Sequence, residues 1–226
     1  LHRIPGPEVD RALRSALSRT AGITRIGIIN TLGRRRDAAA APSLRRLAMG
    51  TDTATAAAAA SALAEIGNPA AAQALLDALG NAGSPSHLAI AEAALKAADR
   101  LRAQGNSAAA LPLYKKLYAA GEPLVVRAGA LRGLGAAGGV QFKPVLLEAL
   151  RDNNSGLLQN AAIDTLLETS PGELVSGMAK LGEAGQARVL AALGGRGDAS
   201  ALPAFTAAMK SPSKPVRVAA LEGAGR

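Results

Sequence analysis

The stretch VRAGALRGLGAAGG, Val126 to Gly139, can be read in two incompatible ways. Its second half, GLGAAGG (Gly133 to Gly139), satisfies G-x-G-x-x-G, the pattern of a dinucleotide-binding loop. That loop needs a strand before the glycines and a helix that begins among them, because the pyrophosphate rests on the helix N-terminus. Here the residues before the glycines are themselves helical in pattern: Arg127, Leu131 and Leu134 follow i, i+4, i+7 spacing. The order is reversed, and the spacing predicts a helix ending at the glycines.

The recurrence of the stretch favours this second reading. VRAGALRGLG (126–135) aligns with VRVAALEGAG (216–225) and with TRIGIINTLG (24–33). The alignment puts Gly135 in one column with Gly33, Gly194 and Gly225, where glycine can terminate a helix or let two helices cross closely. The last apolar position of each such segment gives a series of markers: Leu32, Leu63, Ala98, Leu134, Leu166, Leu193 and Ala224. Their intervals of 31, 35, 36, 32, 27 and 31 residues define a period of about 32. Twelve residues beyond five of the markers stands a second large apolar side chain: Leu44, Leu75, Leu146, Met178 and Phe205. In the unit of Ala98 the equivalent is Tyr114, sixteen residues on, which implies a longer first helix or turn.

Each unit therefore reads as helix, short turn, helix. Asp37, Asn68, Asn106 and Asp198 precede Ala-rich helical runs and are placed to cap them. Pro42, Pro112, Pro144 and Pro203 follow shortly after the break, and proline is tolerated near a helix start because the first-turn donors lack intrahelical partners. No segment shows sustained alternation of β-branched or aromatic residues, so no sheet is expected. One amphipathic hairpin of this length cannot bury its apolar face alone, and neighbours must stack.

The units VRAGALRGLGAAGGVQFKPVLLEALRD (126–152) and RVLAALGGRGDASALPAFTAAMKSPSKPVRVAAL (188–221) resemble HEAT-like repeats, particularly the short form of phycobilisome lyases. The marks are Val126-Arg127 and Val216-Arg217 with the following Ala-Leu pairs, the turn Asp or Asn, and the proline of the second helix. The resemblance covers roughly 23–226 and implies an all-α, right-handed α-solenoid of about six hairpins in a single domain, 1–226. The expected units are a degenerate helix at 1–22, then 23–52, 53–83, 84–122, 123–154, 155–184, 185–213 and an incomplete 214–226. Two units depart from the pattern. The one at 84–122 is longer and partly like a tetratricopeptide hairpin; the one at 155–184 has Gln159 and Ser170 in place of the Arg and the turn Asp. The chain begins at Leu1, so any leader lies outside it, and it stops inside a repeat, which leads to the expectation of a segment of a larger protein with covalently linked flanking domains. The resemblance further implies a bacterial multidomain protein, cytoplasmic or exported.

Composition narrows the chemistry. There is no Cys or Trp, and only His2 and His87. Thiol chemistry is excluded, a multi-histidine metal centre is not expected, and no cofactor is called for. The longest small-apolar run, at 53–67, is too short to span a bilayer, so a soluble chain without membrane insertion is expected. Short motifs have local explanations. The RGD at 196–198 puts Asp198 in the capping column, the SPSK at 211–214 lies in a loop without companion motifs, and Asn153 begins a formal glycosylation sequon. Glu92 and Lys96 read as a solvated i, i+4 pair, and His87 as a surface or capping residue.

The formal charge is +9, and residues 1–50 contribute +7 of it. Arg34, Arg35, Arg36 and Arg45 form a candidate anion or nucleic-acid patch, since clustered arginines bind phosphates and release counterions. HEAT-like folds include DNA glycosylases with a positive groove. Two residues after the second marker, however, the column reads Arg46, Asp77, Lys116, Glu148, Lys180 and Ala207, alternating in sign where a DNA cradle would keep one. Its charged members are candidate partner-binding residues for a mixed-charge protein surface. The expectation is a noncatalytic protein-interaction scaffold. A nucleic-acid-binding domain and a lyase-like or accessory module of a larger enzyme remain as alternatives.

Overall fold

A computed structural model describes residues 6–80, 85–152, 154–197 and 199–225. Among these residues the chain is all-α, with no strand. The helices are α1 (Pro7–Leu17), α2 (Gly22–Arg34), α3 (Ala41–Ala48), α4 (Thr53–Ile66), α5 (Pro69–Leu79), α6 (His87–Ala103) and α7 (Ser107–Leu117). They continue with α8 (Leu124–Gly138), α9 (Lys143–Arg151), α10 (Gly156–Thr169), α11 (Pro171–Met178), α12 (Glu183–Arg196), α13 (Leu202–Ala208) and α14 (Lys214–Ala224). The chain divides into two compact units, Leu1–Val126 and Arg127–Arg226.

In the first unit the first helices of successive hairpins lie side by side, α2 on α4 and α4 on α6. The second helices form a parallel row, α3 on α5 and α5 on α7, while α3 also touches α4 and α5 touches α6. This is solenoid stacking: each hairpin covers the apolar face of the one before. Helix α1 packs on α2 and closes that side with Leu13 and Leu17. In the second unit α10 packs on α9, α11 and α12, and α14 packs on both α12 and α13.

The marker residues lie in the core of their respective units. Leu32, Leu63, Ala98, Leu134, Leu166 and Leu193 are all buried, as are Leu44, Leu75, Tyr114, Leu146, Met178 and Phe205 of the second helices. Ala224 is the exception and is exposed; Gly223 and Ala220 are the buried residues of α14 at that level. Between the large side chains the core is mostly alanine, with Ala56, Ala59, Ala60, Ala94, Ala97 and Ala98 wholly inaccessible. Such small side chains allow the helices of a row to approach at the short end of the usual ~8–10 Å.

The capping expectation holds for three of four residues. The side chains of Asp37, Asn68 and Asn106 accept from the backbone N–H of Ala39, Ala71 and Ala109, while Asp198 lies outside the described residues. Asp52 adds a cap that the repeat alignment did not single out: it accepts from the N–H of Ala54 and Thr55 and from the Thr55 hydroxyl at 2.6 Å. Single 3-10 turns at 38–40, 139–142 and 199–201 precede α3, α9 and α13, and Pro42, Pro144 and Pro203 then occupy the first turn of those helices. Pro112 departs from this scheme and sits inside α7. It stands six residues after Asn106, whereas Pro42 stands five after Asp37. The longer lead-in has joined α7 in place of a separate turn.

The glycine stretch needs a correction. Helix α8 does not end at Gly133 or Gly135 but continues to Gly138, and Gly33 and Gly194 likewise lie within α2 and α12. These glycines mark crossings. A Cβ added at Gly33 would stand 2.9 Å from the Cα of Ala62 on α4. One added at Gly135 would collide with the Thr165 methyl on α10, and one at Gly194 with the Cα of Gly223 on α14. In each case the residue after one marker meets the residue before the next.

Candidate functional site

Two arginines of the first helices, Arg25 and Arg217, tie their helices to the preceding loop. Arg25 donates from Nε to the Thr20 carbonyl at 2.6 Å, and Arg217 donates from Nη1 to the carbonyls of Ser211 and Pro212 at 2.7 and 2.8 Å. At the divergent unit Gln159 takes over. It is buried, its Nε2 donates to the Leu150 carbonyl at 3.1 Å, and its Oε1 accepts from Arg188 of the following unit. The amide thus links α10 to both α9 and α12; a guanidinium at this position, as a pure donor, could not accept from Arg188.

The candidate phosphate patch separates into two kinds of residue. Arg35 is paired with Asp10 of α1 and also donates to the Gly6 carbonyl at 3.2 Å; its hydrogen bond holds Asp10 below the usual carboxylate range. Arg14 of α1 makes the reciprocal connection to Asp37, so two crossed ion pairs clamp α1 to the end of α2. Arg45 is bound to Asp77 at 2.7 Å. Arg34 and Arg36 are exposed and form no ion pair among the described residues. Arg34 lines a cleft of about 410 Å³ together with Asn30, Ser61 and Glu65. Arg36 has φ 53°, the one left-handed non-glycine residue described. Arg3 lies outside the described residues.

The candidate partner-binding column is arranged as follows. Arg46 on α3 and Lys116 on α7 are exposed. Asp77 on α5, between them in the row, is half-buried; it holds Arg45 and accepts from Gln73 Nε2 at 2.9 Å. In the second unit Glu148 on α9 and Lys180, just after α11, are exposed. Apart from the i, i+3 pair of Arg11 and Glu8 on α1, other ion pairs join residues far apart in sequence. Lys96 reaches Glu65 on α4 at 2.5 Å instead of Glu92, with Arg100 at 3.6 Å, and this contact lowers the Glu65 pKa. His87 is no free surface residue: its Nε2 lies 3.0 Å from both carboxylate oxygens of Glu122, whose side chain is only 7% exposed.

One feature went unseen in the sequence. Between α1, α2 and α3 lies a cleft of about 410 Å³ lined by Arg14, Leu17, Ser18, Arg25, Ser43, Arg46 and Leu47. Its lining holds three guanidinium groups and no carboxylate. The contributing residues lie on three helices and up to 33 positions apart, so no local pattern announces it. Among the described residues no three His, Asp or Glu side chains gather as a metal site, and no helix is long and apolar enough to cross a membrane.

The family model for HEAT repeats matches residues 10–96, the span from α1 into α6. Beyond residue 96 the marker positions Ala98, Leu134, Leu166 and Leu193 are buried as Leu32 and Leu63 are within the matched span. No curated protein sequence matches the chain. Among solved structures it is similar to human deoxyhypusine hydroxylase in complex with glycerol, at 19% identity over 99% of this chain and 86% of that one, TM-score 0.42. It is also similar to the complex of CpcE and CpcF of phycocyanin lyase from Nostoc sp. PCC7120, at 20% identity over 97% of this chain and 83% of that one, TM-score 0.45.

Proposed function

We propose that this chain is a noncatalytic protein-interaction module whose second helices present charged side chains to a partner. The observation that carries the reading is the row α3, α5, α7: exposed Arg46 and Lys116 flank the internally paired Arg45 and Asp77. Mixed charge on a preformed helical surface favours a protein with the opposite pattern over a uniformly negative polymer. In the second unit Glu148 and Lys180 continue the column in sequence and are the corresponding candidates. Charge reversal provides the test. Proteins retained by the wild-type chain should be lost from Lys116→Glu and Glu148→Lys variants of unchanged helical content. Retention of the same proteins at the same salt would remove this surface from consideration.

A nucleic-acid-binding role is the second reading, supported by exposed Arg34 and Arg36, which form no ion pair among the described residues. It predicts salt-sensitive retention of duplex DNA that is lost in the Arg34→Ala, Arg36→Ala double variant. No retention at low salt would dismiss it.

A further inference from the structure

The cleft between α1, α2 and α3 has the composition of an anion site. Arg14, Arg25 and Arg46 line it with the hydroxyl-bearing Ser18 and Ser43, and Leu17 and Leu47 supply an apolar wall. Two of the guanidiniums are already fixed by contacts that leave donors over. Arg25 is anchored through Nε on the Thr20 carbonyl, which leaves both of its terminal nitrogens, and Arg14 is anchored through Nη1 on Asp37. Arg46 has only a long 3.4 Å contact to Ser43 Oγ. An anchored guanidinium loses little further freedom on binding, and its planar fork suits a tetrahedral oxyanion.

The charge balance narrows the ligand. Asp37 pairs with Arg14, and the Asp52 carboxylate lies within electrostatic reach of Arg25, so the three guanidiniums keep a net positive charge over these two carboxylates, which suits an anionic phosphate monoester. The volume of about 410 Å³ lies within the range of small-ligand sites, roughly 300–1,000 Å³, and exceeds what a bare ion needs. Neither Arg34 nor Arg36 lines this cleft, and the Arg34 cleft contains Glu65, a carboxylate that would repel an anion. The favourable charge is therefore gathered in one recess and is not spread as a track for a polynucleotide backbone.

We propose that this recess binds a phosphate monoester, with Arg14, Arg25 and Arg46 holding the oxyanion, Ser43 donating to it, and Leu17 and Leu47 packing against the group that carries it. The monoester could belong to a free small molecule or to a phosphorylated side chain of a partner protein; the chemistry at the cleft is the same. This proposal does not depend on the charged row described above, since a free ligand would satisfy it without any protein partner.

Binding is measured calorimetrically on the whole chain at constant ionic strength, with phenyl phosphate, a phosphoserine peptide, its unphosphorylated counterpart and a duplex oligonucleotide as probes. Saturable binding of phenyl phosphate or of the phosphopeptide, but not of the plain peptide, is expected. Whichever phosphate probe binds more tightly identifies the source. Arg46→Gln should weaken binding about tenfold, the loss of one charged hydrogen bond, and Ser43→Ala by a smaller factor. Arg46 has no fold-supporting ion pair among the described residues, so its variant remains folded even if Arg25→Gln does not. Equal affinity of wild type and Arg46→Gln, absence of binding by both phosphate probes, or binding of the oligonucleotide alone would each overturn the proposal.

Discussion

The phenol of Tyr114 on α7 donates to Asp99 Oδ1 on α6 across 2.7 Å, so the two helices of one hairpin are joined by a polar bond at the edge of a buried ring. Burial raises the Tyr114 pKa first, and the bond to Asp99 raises it further. A raised value means that the neutral phenol is favoured in the folded chain. The stabilisation is complete below the ordinary tyrosine range and is lost as pH rises through the folded-state value. Tyr114→Phe should cost about 1 kcal/mol near neutrality and remove much of the alkaline decline. Urea unfolding across an alkaline pH series checks this; parallel declines in the two proteins would contradict it.

The acid side has the opposite sign. The hydrogen bond from Arg35 lowers the Asp10 pKa, and that from Lys96 lowers the Glu65 pKa. Their contributions are present above the ordinary carboxylate range and disappear as pH falls through the depressed values. Stability should therefore fall below about pH 4, and Asp10→Asn combined with Glu65→Gln should flatten that decline. The comparison is of unfolding midpoints in acid; identical slopes would show that other groups control it.

Two adjacent glycines of α12 should respond in opposite directions. A methyl at Gly194 would meet the Gly223 backbone, which no rotamer change can relieve, so Gly194→Ala should destabilise by about 1–3 kcal/mol. Gly195 has nothing within 4 Å of an added Cβ, and Gly195→Ala should stabilise by up to about 1 kcal/mol through helix propensity. Thermal melts of the two variants provide the test, and equal shifts would deny the crossing.

Arg36 occupies the left-handed region in an exposed turn. Glycine adopts that conformation without the Cβ penalty, so Arg36→Gly should raise stability by about 1 kcal/mol. A melting temperature unchanged or lowered would mean that the side chain contributes more than its backbone costs.

The hairpin order was legible because burial recurs: Leu32, Leu63 and Leu193 are inaccessible or nearly so for the same reason, and a repeated reason leaves a repeated letter. The glycine column was legible as one that either ends helices or lets them cross, without deciding between the two. Helix termination and close packing both call for glycine, and only the position of Gly223 against Gly194 distinguishes them. Ion pairs were misread where they run between units: Lys96 has a carboxylate four residues away in Glu92, yet the stacked helix brings Glu65 nearer. The candidate site was the least legible. Arg46 stood out as one exposed charge in an alternating column, and nothing in its neighbourhood of sequence indicates that Arg14 and Arg25 share its cleft.

At the crossing of Gly194 and Gly223 main chain meets main chain, and the Phe205 ring of α13 also packs against Gly223. The helix that follows must therefore bring a residue without a side chain to this step, because the preceding hairpin already fills the space with its backbone and its ring. A unit exchanged at this joint would have to carry that glycine with it, so the boundary is selective about its neighbour even though no charged group marks it.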